Sequence, residues 1–184
     1  MWGIIRGVTY EEFHDLCERR RSLRSFAEKP VALTDVQHLI DLARLAPSVE
    51  NTQPWRFHVI LNPRLQERLL EVSCYGNFAS GAAVLIVVAC DTKAQLEVPT
   101  ILWQPRDLEY SCVTAMEHVF LGAAAMGLGS CWVTLQHAPT REILGLSADQ
   151  IIIGGMLIGH LPEHADGGKR PPRKPIEDLC RFWQ

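Results

Sequence analysis

The chain has 184 residues, 47% of them hydrophobic and 21% charged, with a formal net charge of −3. That balance fits one globular domain with a sizeable core, excludes a disordered chain, and gives no overall attraction for nucleic acid. The longest apolar run, Gly81 to Cys90, is far shorter than the roughly 20 residues of a membrane span, so no membrane partner is expected. The opening stretch, MWGIIRGVTYEEFHDL, turns acidic too soon for a secretory signal. The cysteines at positions 17, 74, 90, 112, 131 and 180 include no CxxC pair, which predicts reduced thiols and a cytoplasmic chain rather than a metal or disulfide scaffold.

Thr9 followed by Glu12 forms a capping-box pattern, and Phe13, Leu16 and Cys17 recur behind it at helical spacing, up to Arg19, Arg20 and Arg21. A second box, Thr34 with Gln37, opens a helix whose apolar stripe is Val36, Leu39, Ile40 and Ala43, and Pro47 stops it. Phe57, Val59 and Leu61 alternate as the inward face of a strand, and Pro63 starts a short helix. AAVLIVVACD, from Ala82, has no alternation, as in a strand covered on both faces. Residues 92–106 are irregular, with Pro99 and Pro105 bracketing Trp103. A long helix follows over Asp107 to Met126, apolar along Val113, Met116, Phe120, Ala123 and Ala124, and ended by Gly127 and Gly129. SCWVTL is a strand, APTREILGL a short helix, and QIIIGGMLIGHL a strand whose paired glycines predict a bulge or a close backbone approach. A Gly/Pro/Arg-rich loop then leads to an amphipathic tail. This alternation of elements predicts one domain over 1–184, a mixed sheet with helices packed around it.

Two basic groups are candidates for chemistry. Arg19, Arg20, Arg21 and Arg24 surround Ser22, and Lys169, Arg170, Arg173 and Lys174 cluster near the end. Guanidinium forks with a hydroxyl match a phosphate monoester; equally, arginines at a helix C-terminus complement its dipole and stay solvated. The loop APSVENTQPWRF carries more side-chain donors and acceptors than a connector needs, as a loop that holds something polar would. Dinucleotide, P-loop and nucleophile-elbow fingerprints are absent, Glu117 and His118 fit an exposed helix face, and His160 and His164 flank Pro162, so they share no helix.

RRSLRSF, LARLAPSVENTQPWRF, AAAMGLGSCWV and IGGMLIGHLPE…RPPRKPIEDL resemble, in order and spacing, the FMN-dependent nitroreductase family over nearly the whole chain. The resemblance implies an α+β fold of α/β/α layers, with a mixed, mainly antiparallel sheet flanked by helices. It also implies a homodimer with FMN sites at the subunit interface. Arg20, with Arg21, and Ser22 would take the phosphate, joined by Arg173 and by Lys169 or Arg170; Arg24 would lie near the N1/O2 edge of the ring. Pro47, Ser48, Val49 and Asn51 would reach the other subunit's FMN, and Trp132, Val133 and Thr134 would run past the ring edge. Trp103, in a short lid, reads either as a stacking surface or as a packed core residue. The implied reaction is ping-pong hydride transfer through flavin N5, from NADH or NADPH to a small-molecule acceptor such as a nitroaromatic or quinone, with no dedicated acid–base side chain. The same fold also serves dehalogenation, peptide dehydrogenation, flavin fragmentation and plain flavin binding. Thr134 and Val49 depart from the family's commoner residues, and Glu50 adds a negative charge to the interface loop.

Overall fold

The computed structural model describes residues 7–76, 79–97, 102–163 and 171–183. Thr9 closes the expected box: its hydroxyl accepts the Glu12 N–H at 3.2 Å, and the Glu12 carboxylate accepts the Thr9 N–H at 2.8 Å. That cap starts α1 (Tyr10–Arg19). The second box does not form. Helix α2 (Leu33–Ala43) begins earlier, with Ala32 as its N-cap, and the Asp35 and Val36 N–H groups bond the Ala32 carbonyl instead. Asn62 caps α3 (Pro63–Glu71) through its side-chain oxygen, with proline at the first helical position where no N–H is needed.

Four strands, β1 (Trp55–Ile60), β2 (Val84–Asp91), β3 (Leu128–Val133) and β4 (Gln150–His160), pair antiparallel in the order β1-β2-β4-β3. Among the described residues, parallel pairing enters only as single bridges, Ser22 to Ser130 and Ser25 to Ser80. Every residue of β2 from Val84 to Cys90 is buried, because Ile86 and Val88 face one apolar layer and Leu85 and Val87 the other. The first layer belongs to α2 and the central helix α4 (Pro105–Ala125), through Leu39, Met116 and Val119; the second takes Leu69 and Leu70 of α3. Helix α5 (His137–Leu144) ends at Gly145 in the left-handed conformation.

Both readings of the β4 glycines hold. The β2–β4 register shifts between Val88 and Ala89, opposite Gly154 and Ile152, and a Cβ on Gly154 would stand 3.0 Å from the Trp132 ring. Strand β1 alternates less than expected: Trp55 and Ile60 are buried, whereas Val59 and Leu61 are exposed, since β1 is an edge strand that the helices cover only in part. The tail forms no amphipathic helix. Pro171, Pro172 and Pro175 interrupt it, a single 3-10 turn spans Ile176–Asp178, and Ile176, Leu179, Phe182 and Trp183 stay exposed. Among the described residues no helix is long and apolar enough to cross a membrane.

Candidate functional site

Helix α1 ends at Arg20, whose N–H still bonds the Leu16 carbonyl at 3.0 Å. The chain then extends along the edge of the sheet. Leu23 N–H bonds Ser130 O at 2.8 Å, Ser80 N–H bonds Arg24 O at 3.1 Å, and Ala27 N–H bonds His160 O at 3.0 Å. This ladder lays Arg20, Ser22 and Arg24 beside the start of β3. Gly129 permits the approach, since a Cβ there would run into the Leu23 side chain. Arg19, Arg20, Arg21, Ser22, Gly127, Gly129 and Ser130 line one cleft of about 880 Å3, within the roughly 300–1,000 Å3 of small-molecule pockets.

Charge in this region is only partly compensated. Arg19 pairs with Asp15 at 2.9 Å, whereas Arg20, Arg24 and Arg173 form no ion pair among the described residues. Arg24 and Arg20 both act on the Cys131 thiol of β3: burial pushes it up, and the two positive charges pull the other way. Arg173 and Pro171 border a smaller cavity with His14, Cys17 and Glu18 of α1, and Glu18 lines the larger cleft as well. Of the second basic group, Arg173 alone lines a cavity on α1, next to the arginine cleft rather than within it. Lys169 and Arg170 lie outside the described residues.

Trp132 is half exposed and faces the α4 layer, 6.1 Å from the Phe120 ring between centroids. Val133 is fully buried in the opposite layer, so only its backbone can meet a ligand, and Thr134 is exposed.

The loop Pro47–Gln53 sits elsewhere. Glu50, Asn51 and Gln53 all have positive φ, at 43°, 59° and 47°. Ser48 is spent inside the loop, its hydroxyl accepting the Gln53 N–H at 3.1 Å, while Asn51 is exposed. Trp103, half-buried, donates its indole N–H to the Glu50 carboxylate at 3.3 Å and so is tied to this loop; residues 98–101 of the expected lid lie outside the described residues. Two α4 hydroxyls hold the loop from below. Ser111 Oγ accepts the Val49 N–H at 3.2 Å, and Thr114 Oγ1 donates to Pro47 O at 3.1 Å. Sequence reasoning missed both, because a hydroxyl inside an otherwise apolar helix carries no local signal of a partner more than sixty residues upstream.

The arginine cleft touches α4 at Ala124, near its C-terminus, and the loop touches it at Ser111 and Thr114. At 1.5 Å per residue, Ser111 and Ala124 are about 20 Å apart. One chain therefore does not bring Asn51 to Arg20 and Ser22.

A helix-wrapped antiparallel sheet with an arginine-lined cleft at one end of its central helix, and a strained polar loop at the other, defines an α+β protein whose candidate site is divided between distant pieces. The chain belongs to the nitroreductase family, whose sequence profile matches residues 17–160. It is 27% identical over 161 residues to a protein of Archaeoglobus fulgidus assigned as an NADH dehydrogenase/NAD(P)H nitroreductase, covering 85% of this chain and 89% of that one. A nitrobenzene nitroreductase of Ectopseudomonas oleovorans is 26% identical over 205 residues, covering 82% of this chain and 88% of that one. A crystal structure from Desulfovibrio desulfuricans, assigned as a nitroreductase in complex with FMN, superposes with a TM-score of 0.81 at 26% identity, covering 96% of this chain and 99% of that one.

Proposed function

We propose that the protein is an FMN-dependent NAD(P)H oxidoreductase that works as a homodimer, each cofactor site being shared by two subunits. The observation that carries this reading is the cleft at the end of α1, where Arg20 and Ser22 stand together and Arg20 forms no ion pair among the described residues, although Asp15, Glu18 and Glu163 also line the cleft. The donor set of that cleft suits a phosphate monoester: guanidinium forks from Arg20 and Arg21 and the Ser22 hydroxyl, with Arg173 lining the neighbouring cavity on α1. Arg24 supplies positive charge for the N1/O2 edge of the ring, where negative charge gathers on reduction. The backbone of Trp132, Val133 and Thr134, which continues β3 beyond Ser130 of the cleft, would border the ring.

Bound there, FMN would supply two-electron chemistry at N5 between NADH or NADPH and a nitroaromatic or quinone-type acceptor, by a ping-pong route. The protein's own part is to bind, orient and exclude water, so no acid–base side chain is required. The separation of about 20 Å along α4 supports a second copy as the source of Pro47, Ser48, Val49 and Asn51 at each site. Exposed Leu42 of α2, Leu45 just after it, and Tyr110 and Val113 in the first half of α4, give such a copy an apolar surface to cover. Trp103 travels with the loop and lids the other subunit's site. Six free thiols support the cytoplasmic location.

The test is the visible spectrum of the purified protein, before and after anaerobic addition of NADH and then NADPH. A flavin spectrum that bleaches supports the proposal and names the donor. A flavin that stays oxidised, or a colourless protein that does not take up FMN, contradicts it.

A further inference from the structure

The Pro47–Gln53 loop is an expensive conformation. Asparagine tolerates the left-handed region, but Glu50 and Gln53 do not favour it, and nothing in their side chains removes the clash of Cβ with backbone. The turn closes on itself through Asn51 N–H to Ser48 O at 3.1 Å and Thr52 N–H to Val49 O at 2.8 Å. Those bonds set its shape without fixing where it stands. Its placement comes from α4 and from the Trp103–Glu50 contact.

Within α4, Ser111 is the residue with least reason to be there otherwise. It is buried, at 4% exposure, in a helix where alanine would be the better helix former and would bury no polar atom. Its hydroxyl proton goes to the Asp107 carbonyl at 3.0 Å, which turns an oxygen lone pair toward the Val49 N–H at 3.2 Å. Thr114 has a single proton for two acceptors, Pro47 O at 3.1 Å and Ser111 O at 2.7 Å, so its hold on the loop is divided. Ser111 is the firmer of the two.

We propose that Ser111 is a positioning residue of the cofactor site: its buried hydroxyl holds the Val49 N–H and so fixes Asn51 where it completes the second subunit's FMN site. This rests on the reading of a shared FMN site given above. Ser111 touches neither cofactor nor substrate and acts through one backbone amide.

The experiment compares FMN dissociation constants, by fluorescence titration of the apoprotein, for wild type, Ser111→Ala, Ser111→Thr and Asn51→Ala. Hydrogen exchange of the apoprotein is followed over residues 46–53. Losing one buried hydrogen bond corresponds to roughly five- to thirtyfold, so Ser111→Ala should weaken FMN by about that factor and speed exchange at Val49. Ser111→Thr, which restores the hydroxyl, should recover affinity to within about threefold and slow the exchange again, which lost helix packing alone would not explain. If Asn51→Ala weakens FMN and Ser111→Ala does not, the assignment of Ser111 is wrong while the shared site stands. If neither variant alters FMN binding, the loop is not part of the site, and both readings fall.

Discussion

Strand β2 and the Pro47–Gln53 loop both pack against α4, yet they follow opposite rules. In β2 every residue from Val84 to Cys90 is buried, both neighbours are hydrogen-bonded strands, and the backbone is ordinary. The loop keeps Pro47, Glu50, Asn51 and Gln53 exposed, holds three non-glycine residues at positive φ, and takes two hydroxyls from a helix that has no need of them. The strand is complete within one chain. The loop sets against its strain only the partial burial of Val49 against the core and a few hydrogen bonds, which is the condition expected of a segment with further contacts to another molecule. Architecture and site are thus separately encoded, and they should separate under mutation.

The largest effect should fall on the strand. Leu85→Ala, at a fully buried position in the α3 layer, should cost about 2–5 kcal/mol in urea denaturation of the apoprotein. A loss below about 1 kcal/mol would mean that this layer is loosely packed. Arg20→Ala should do the reverse: it should leave apoprotein stability within about 0.5 kcal/mol and weaken FMN by about 10- to 100-fold in the same titration, as the loss of a charge-assisted contact implies. Equal effects on both quantities would erase the distinction between core and site.

The smallest effect concerns pH. Burial holds the Cys131 thiol above its ordinary value of 9.0, and Arg24 and Arg20 oppose that rise. A raised thiol favours the neutral form in the fold, so its contribution is full below pH 9 and is lost as the pH climbs beyond it. Cys131→Ala should therefore show a slightly shallower decline of stability above pH 9 than the wild type, as read from urea midpoints. A steeper decline would contradict the sign.

How much was legible beforehand follows the same division. The uninterrupted apolar run of β2, the Thr9–Glu12 box and the β4 glycines declared themselves, because each is a local pattern with one physical meaning. Thr34 and Gln37 had the spacing of a cap without its position: the helix starts at Leu33, so Thr34 lies inside it. Val59 and Leu61 alternate correctly but sit on an edge strand, and alternation does not report how far the covering layer extends. The tail's apolar residues stay exposed, since the amphipathic pattern does not report whether a surface lies opposite it.

At the site, Arg20, Ser22 and Arg24 could be named because their spacing is local, and the structure lays them along β3. The distance between that segment and Asn51 was not readable, nor were Ser111 and Thr114, since both depend on how α4 crosses the sheet. Arg173, expected as a phosphate contact, lines a cavity beside α1 with His14 and Cys17 rather than the cleft of Arg20 and Ser22.

The central claim is that two chains complete each cofactor site, and mixed dimers test it most directly. Arg20→Ala and Asn51→Ala chains, carrying different affinity tags, are co-expressed, and the mixed species is purified and titrated with FMN. Neither variant alone should hold FMN tightly. In a mixed dimer with shared sites, one site combines an intact Arg20 with an intact loop, so tight binding should return at about half the wild-type stoichiometry, the other site carrying both defects. Mixed dimers that bind no better than the two parents would place Arg20 and Asn51 in the same subunit's site and contradict the account.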